Sequence, residues 1–207
     1  MKKKIVWIVL SLLFLTAFAV FTYLVKEDVF NQFDFDITVR LQDNLPQKYD
    51  AFLSSFSLIG SFEILAGLIF LIALFRKKII SLLVFIPFAG AHVVEFIGKA
   101  LVHHPGPPFR FFRYNIDFLF PSSYVQPGSS YPSGHSMRTV FISFVFFYLI
   151  FKSKVRFPLK ILFSGALILF NAVMLISRVS LGEHWTSDVV GGALLGVSAA
   201  VFSFLFL

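Results

Sequence analysis

The chain has 207 residues, 57% of them hydrophobic and 30 of them Phe, with a mean hydropathy of +0.84. A soluble domain needs a polar exterior, so this composition excludes one and assigns the chain to the integral membrane proteins. The formal charge of +7 does not point to nucleic acid, because ten of the 18 Lys and Arg sit in short clusters beside apolar runs rather than in an aromatic-interleaved stripe.

Ile5 to Val25 is apolar throughout after Lys2-Lys3-Lys4. About 20 helical residues cross a hydrocarbon core of about 30 Å, so this run is the first predicted span. Ala17-Phe18-Ala19 resembles a signal-peptide cleavage site, but the apolar run continues past it without a polar break, and a retained helix is the preferred reading. Residues 26–50 are polar and acidic yet carry Phe30, Phe33, Phe35, Ile37, Val39 and Leu41, which predicts short helices lying at the membrane interface. Phe52 to Phe75 is the second span, with Glu63 near its middle, and Ile79 to Val102 follows Arg76-Lys77-Lys78 as the third. His103 to Tyr131 is the longest non-helical stretch. Six of the nine prolines fall in it or just after it, and its aromatics suit a lid lying on the bilayer surface. The remaining spans run from about Ser133 to Phe151, from Phe157 to Ile176 and from Asp188 to Leu207, with a polar break over residues 178–187. No repeat or linker interrupts the pattern, which predicts one all-α, polytopic domain over residues 1–207 with six transmembrane helices.

With six spans, Lys2 to Lys4, Arg76 to Lys78 and Lys152 to Lys160 fall on one side of the membrane, and none of these three loops contains Asp or Glu. Basic short loops stay inside, which predicts cytoplasmic N- and C-termini in a cell-membrane protein. Segments 26–50, 103–131 and 178–187 then face outward together.

The stretch Ser130-Tyr131-Pro132-Ser133-Gly134-His135-Ser136 reads as a turn that opens the fourth span. Pro132 and Gly134 set backbone geometry and Ser133 can cap the helix. Unpaired N–H groups at a helix start attract an anion, above all a phosphate, and His135 in the first turn can give or take a proton. A plain loop-to-helix junction would look the same in isolation.

Charges inside spans cost roughly 2.5–3.5 kcal/mol each even on a lenient scale, so each needs a reason. Glu95 and Lys99 are one turn apart and can simply pair. Arg138 follows His135 by one turn and can equally snorkel to the outer surface. Glu63 is expected to bond to another span. His184 and Asp188 are four apart and share a face if the last helix begins by His184. A carboxylate on one imidazole nitrogen fixes the tautomer and frees the other nitrogen as a nucleophile, while Arg178 can bind a phosphoryl group in bidentate fashion. A His and an Asp capping a helix beside water is the plainer alternative. Lys99, His135 and the His184–Asp188 pair all fall at outer ends of spans, which argues for a single site on the outer face.

Pro132-Ser133-Gly134-His135 and Ser177-Arg178-x5-His184-x3-Asp188 resemble the second and third signature motifs of the type 2 phosphatidic acid phosphatase superfamily, which includes integral-membrane lipid phosphatases. The family's first motif is Lys-x6-Arg-Pro; here Lys99 is followed at that distance by Gly106-Pro107, so the motif region spans residues 99–188 and lacks one arginine. The resemblance implies that His184 attacks phosphorus and carries a phosphohistidine, that Asp188 orients it and that His135 protonates the leaving oxygen. It implies phosphate contacts from Lys99, Ser133, the Gly134 N–H and Arg178, with no metal and no cofactor. Arg138, or else Arg110 or Arg113, is the expected replacement for the missing guanidinium.

The predicted function is therefore hydrolysis of a lipid phosphate or diphosphate, with phosphatidic acid, phosphatidylglycerol phosphate and polyprenyl diphosphates as candidate substrates. The implied partners are the bilayer and that lipid, with no nucleic acid. A non-catalytic lipid-phosphate-binding or transport protein would use the same cationic site, but binding needs cations and not a nucleophile with its own carboxylate. The absence of Cys excludes thiolate metal sites, and His103-His104 in a proline-rich loop without a carboxylate cluster reads as a surface pair rather than a metal site.

Overall fold

The structure is a computed structural model that describes residues 2–75, 79–118, 120–121 and 128–207. The basic cluster Arg76-Lys77-Lys78 and the lid residues Tyr124 and Pro127 lie outside the described residues. Among the described residues there are eight α-helices and no strand. The helices are α1 (Lys2–Lys26), α2 (Asn31–Asn44), α3 (Asp50–Ser57), α4 (Phe62–Phe75), α5 (Phe85–Leu101), α6 (Gly134–Lys152), α7 (Phe157–Ser180) and α8 (Thr186–Ser203). Five segments are long and apolar enough to cross a membrane: Lys4–Lys26, Leu82–Leu101, Gly134–Lys152, Phe157–Ser180 and Thr186–Ser203. Gln47–Gly60 and Phe62–Ile72 form a bent pair that meets the same criterion only when the two halves are taken together, which brings the candidate spans to between five and six among the described residues.

That bent pair differs from the expected unbroken second span. A 3₁₀ turn at Leu58–Gly60 ends in an extended Ser61, and the two halves meet at 48°. Glu63 therefore sits in the first turn of α4 rather than in mid-helix. A break in a spanning segment frees backbone groups that lipid cannot satisfy, so another part of the protein must. Arg138 on α6 does this: its Nε donates to the Gly60 carbonyl at 2.9 Å. The expected snorkelling of Arg138 is replaced by a fully internal role, with the residue 3% exposed.

α8 lies between α1 and α6, and its sequence explains how. Gly192 and Gly196 present no side chain to α6; a Cβ at either would run into the Ser133 or Met137 carbonyl. Small residues let helix backbones approach in a membrane, where packing and hydrogen bonds drive association. On the opposite side, the hydroxyls of Ser11 and Ser198 each donate to the other's carbonyl at 2.9 Å, pinning α1 to α8. Thr22 and Tyr131 add a 2.8 Å hydroxyl bond beside the site. Phe88, Phe141, Leu65, Ile69, Val145 and Ala200 fill the core between α4, α5, α6 and α8.

The outward faces of α1 and α7 carry exposed Leu12, Leu13, Leu162, Phe163, Ile168 and Leu169. Such faces suit lipid rather than water. α2, with Phe33 and Phe35 exposed and Asp34 and Thr38 buried, is not long and apolar enough to cross a membrane.

Candidate active site

Four chain segments converge at one end of the bundle. Lys99 is in the last turn of α5, His135 in the first turn of α6, Arg178 in the last turn of α7, and Asp188 in the first turn of α8. Ser133 caps α6 through a long 3.5 Å acceptance from Ser136 N–H. Its own N–H donates to the Asp188 carbonyl at 3.0 Å, and Ser136 Oγ donates to the Val189 carbonyl at 2.6 Å. These two bonds lock the His135 turn to the Asp188 turn.

A cavity of ≈ 340 Å³ opens between these segments, lined by Lys99, Gly134, His135, Arg178, Glu183 and His184 together with Ser57, Leu58 and Ser61. The rest of its wall is Gly106, Tyr114, Phe120 and Gly128 to Ser130 from the proline-rich stretch. Gly134 has no room for a side chain: a Cβ there would collide with the Glu95 carboxylate.

His184 Nδ1 lies 3.3 Å from Asp188 Oδ2, which also accepts the Trp185 N–H at 2.8 Å. His184 is held in the α7–α8 turn by its N–H bond to the Arg178 carbonyl at 3.1 Å. Burial pushes its imidazole below the ordinary value, against the opposing pull of Asp188 and with the help of Arg178 and Lys99. A neutral imidazole is the nucleophilic form. His135 Nδ1 lies 3.5 Å from Arg138 Nη2, and a guanidinium beside it favours the tautomer with its proton on Nε2. Lys99 Nζ is 3.7 Å from Glu95, and Arg178 pairs with Glu183 at 2.6 Å while its buried Nε has no hydrogen-bond partner among the described residues. Two cations lining a cavity can hold an anion.

The structure thus brings Lys99, Gly134, His135, Arg178 and His184 to one cavity, with Asp188 directly behind His184. Ser133 is fully buried at the helix start and does not line the cavity. None of the three expected replacement arginines lines it either. Arg138 holds Gly60 and is 3.6 Å from Glu95, Arg113 is paired with Asp50 at 2.7 Å, and Arg110 lies over the Phe35 and Phe111 rings. At Gly106 a Cβ would meet, among the described residues, the Ser130 side chain, with its Cβ at an ordinary 3.5 Å and its Oγ at 4.0 Å.

The expectation that His103 and His104 are a surface pair holds only for His103. His104 is 4% exposed and its Nδ1 sits 2.9 Å from Asp188 Oδ1. Ser130 N–H and Oγ both donate to the His104 carbonyl at 3.0 Å, which draws the residue inward. Behind it stands Asp34 of α2, which accepts from Ser187 N–H and Oγ at 2.7 and 2.6 Å. Asp34 was not visible as a site residue, because its partners lie 153 positions away and no spacing links them.

The PAP2 superfamily profile matches residues 66–207, a segment that holds every motif residue named above. Among solved structures, a transmembrane PAP2-type phosphatidylglycerolphosphate phosphatase of Bacillus subtilis superposes with a TM-score of 0.72 at 21% identity, covering 95% of this chain and 93% of that one. LpxE of Aquifex aeolicus superposes with a TM-score of 0.62 at 21% identity, covering 83% and 94%. A comparison with the curated proteins found no sequence match.

Proposed function

The chain belongs to the PAP2 superfamily, and on that premise we propose that it is a membrane lipid phosphatase working through a phosphohistidine at His184. One observation carries the reading: a histidine backed by a buried carboxylate and a second histidine share a cavity with two cations. A protein that only bound or carried a lipid phosphate would have no use for the His184–Asp188 pair.

In this reading the lipid phosphoryl oxygens lie against Lys99, the Gly134 N–H and Arg178, where fixed cations and donors stabilise charge as it builds. His184 Nε2 attacks phosphorus, forming a P–N bond as the bond to the lipid oxygen breaks. His135 gives its proton to that oxygen, and the lipid leaves as an alcohol or a shorter phosphate. Water then attacks the phosphohistidine with His135 taking its proton, which releases inorganic phosphate and restores both histidines. General acid–base help of this kind typically contributes about 10²–10⁴ in rate. Ser133 acts here through the cap that aims the helix start, rather than through its hydroxyl. Candidate substrates are phosphatidic acid, phosphatidylglycerol phosphate and polyprenyl diphosphates, reached from the outer leaflet of the cell membrane.

Rapid acid-free quenching of the protein with lipid carrying a labelled terminal phosphate tests the mechanism. The expected result is label on His184 that is acid-labile and base-stable, and absent in His184→Ala. Phosphate release by the unsubstituted protein without any base-stable protein-bound label, or label that survives in His184→Ala, would count against it.

A further inference from the structure

Asp188 serves two histidines. Its Oδ2 faces His184 Nδ1 at 3.3 Å and its Oδ1 pairs with His104 Nδ1 at 2.9 Å. His104 Nε2 in turn lies 3.9 Å from Asp34 Oδ2, and Asp34 is fixed by both donors of Ser187. Asp34, His104, Ser187 and Asp188 are 1, 4, 2 and 0% exposed. An imidazole hydrogen-bonded to one carboxylate at 2.9 Å and within 3.9 Å of a second is better matched as the cation than as the neutral ring.

We propose that His104 is a positioning residue: lodged as an imidazolium between Asp188 and Asp34, it engages one oxygen of Asp188 and so keeps His184 neutral and oriented for attack. The inference rests on the phosphatase reading of the site. Asp188 alone would favour protonated His184, which has no lone pair for phosphorus. A cation on the other carboxylate oxygen weakens that pull and also repels a second proton nearby. His104 stands at an unspecified position of the first motif, and Asp34 precedes the segment matched by the family profile.

Charged groups face His104 from several elements, and burial opposes the charges of the pair. His104 faces Asp188 from α8, Asp34 from α2 and, more distantly, Asp28 from the α1–α2 turn, with the Tyr131 ring edge-on at 6.3 Å. Burial opposes a charge on His104, but the bond to Asp188 and the two carboxylates outweigh it and hold the ring above its ordinary value. Burial also raises the Asp34 carboxyl, against its Ser187 bonds. Arg110 and His103 line the cavity on the far side of His104. His184 faces Asp188, Arg178, Lys99 and His135.

His104→Asn tests this, since its amide N–H can still reach Asp188 while the charge and the link to Asp34 are lost. With five histidines in the chain, imidazole resonances of labelled protein in detergent can be assigned by single substitutions. The expected result is an upward shift of about one unit in the apparent pKa of His184, as for removal of a neighbouring charge. The acid limb of kcat/KM should move to higher pH by the same amount. Asp34→Asn should shift both in the same direction by less, and it carries the test if His104→Asn does not fold. A loss of thermal stability with an unmoved His184 titration and an unmoved acid limb would overturn the proposal. The titration needs no turnover. A shifted His184 in a protein that releases no phosphate from any lipid would uphold the coupling and sink the phosphatase reading.

Discussion

At position 106, where the family resemblance implies an arginine, glycine leaves part of the cavity wall without a side chain. The position has ordinary room for a Cβ among the described residues, and none of Arg110, Arg113 and Arg138 lines the cavity in place of the missing arginine. Gly106→Arg should therefore fold and lower KM for a lipid phosphate by roughly tenfold, the scale of one added charge-assisted hydrogen bond. Steady-state kinetics in detergent checks it; an unchanged or raised KM would mean that the wall at 106 does not face the phosphate. At this scale the sequence was legible wherever spacing is local. His184 and Asp188 are one turn apart, and Ser133, Gly134 and His135 are consecutive. It was opaque where partners are remote: His104 meets Asp188 across 84 positions, and only the fold brings them together.

The bent segment around Gly60 and Ser61 carries the lesson at the level of elements. Hydropathy averages over about twenty residues, so it registers a long apolar run and passes over a short break. The break becomes readable only with its partner, because the Gly60 carbonyl is satisfied by Arg138 from another helix. The same guanidinium lies 3.6 Å from Glu95, which also neighbours Lys99 at 3.7 Å, so a single side chain supports the bent span and the cationic wall. Arg138→Ala would leave the Gly60 carbonyl and part of the Glu95 charge unmatched. We expect a stability loss of about 1–3 kcal/mol in detergent, read from thermal unfolding. We expect KM to change by less than about twofold, because Arg138 does not line the cavity. A large rise in KM at unchanged stability would instead make Arg138 a phosphate ligand. The long helices were the easiest elements to foresee, since their apolar length alone requires them.

Across the whole molecule, the motif segments meet at one end of the bundle, next to the α2 and proline-rich segments and away from the α6–α7 connection with its basic residues. The positive-inside rule then predicts that the cavity opens to the outside. The cysteine-free chain makes this direct to check with single cysteines. Gly128→Cys, at the exposed cavity rim, should react with an impermeant thiol reagent on intact cells, whereas Val155→Cys should react only after permeabilisation. The opposite pattern would place the site inside. Composition was enough for the membrane class and for most of the spans, but the choice of lipid is spread over apolar faces that any acyl chain could meet. The most direct test of the account is phosphate release by the purified protein in detergent with chelator present, offered phosphatidic acid, phosphatidylglycerol phosphate and a polyprenyl diphosphate. We predict release from at least one of them, abolished in His184→Ala. Release from none, or equal release by His184→Ala, would contradict the account.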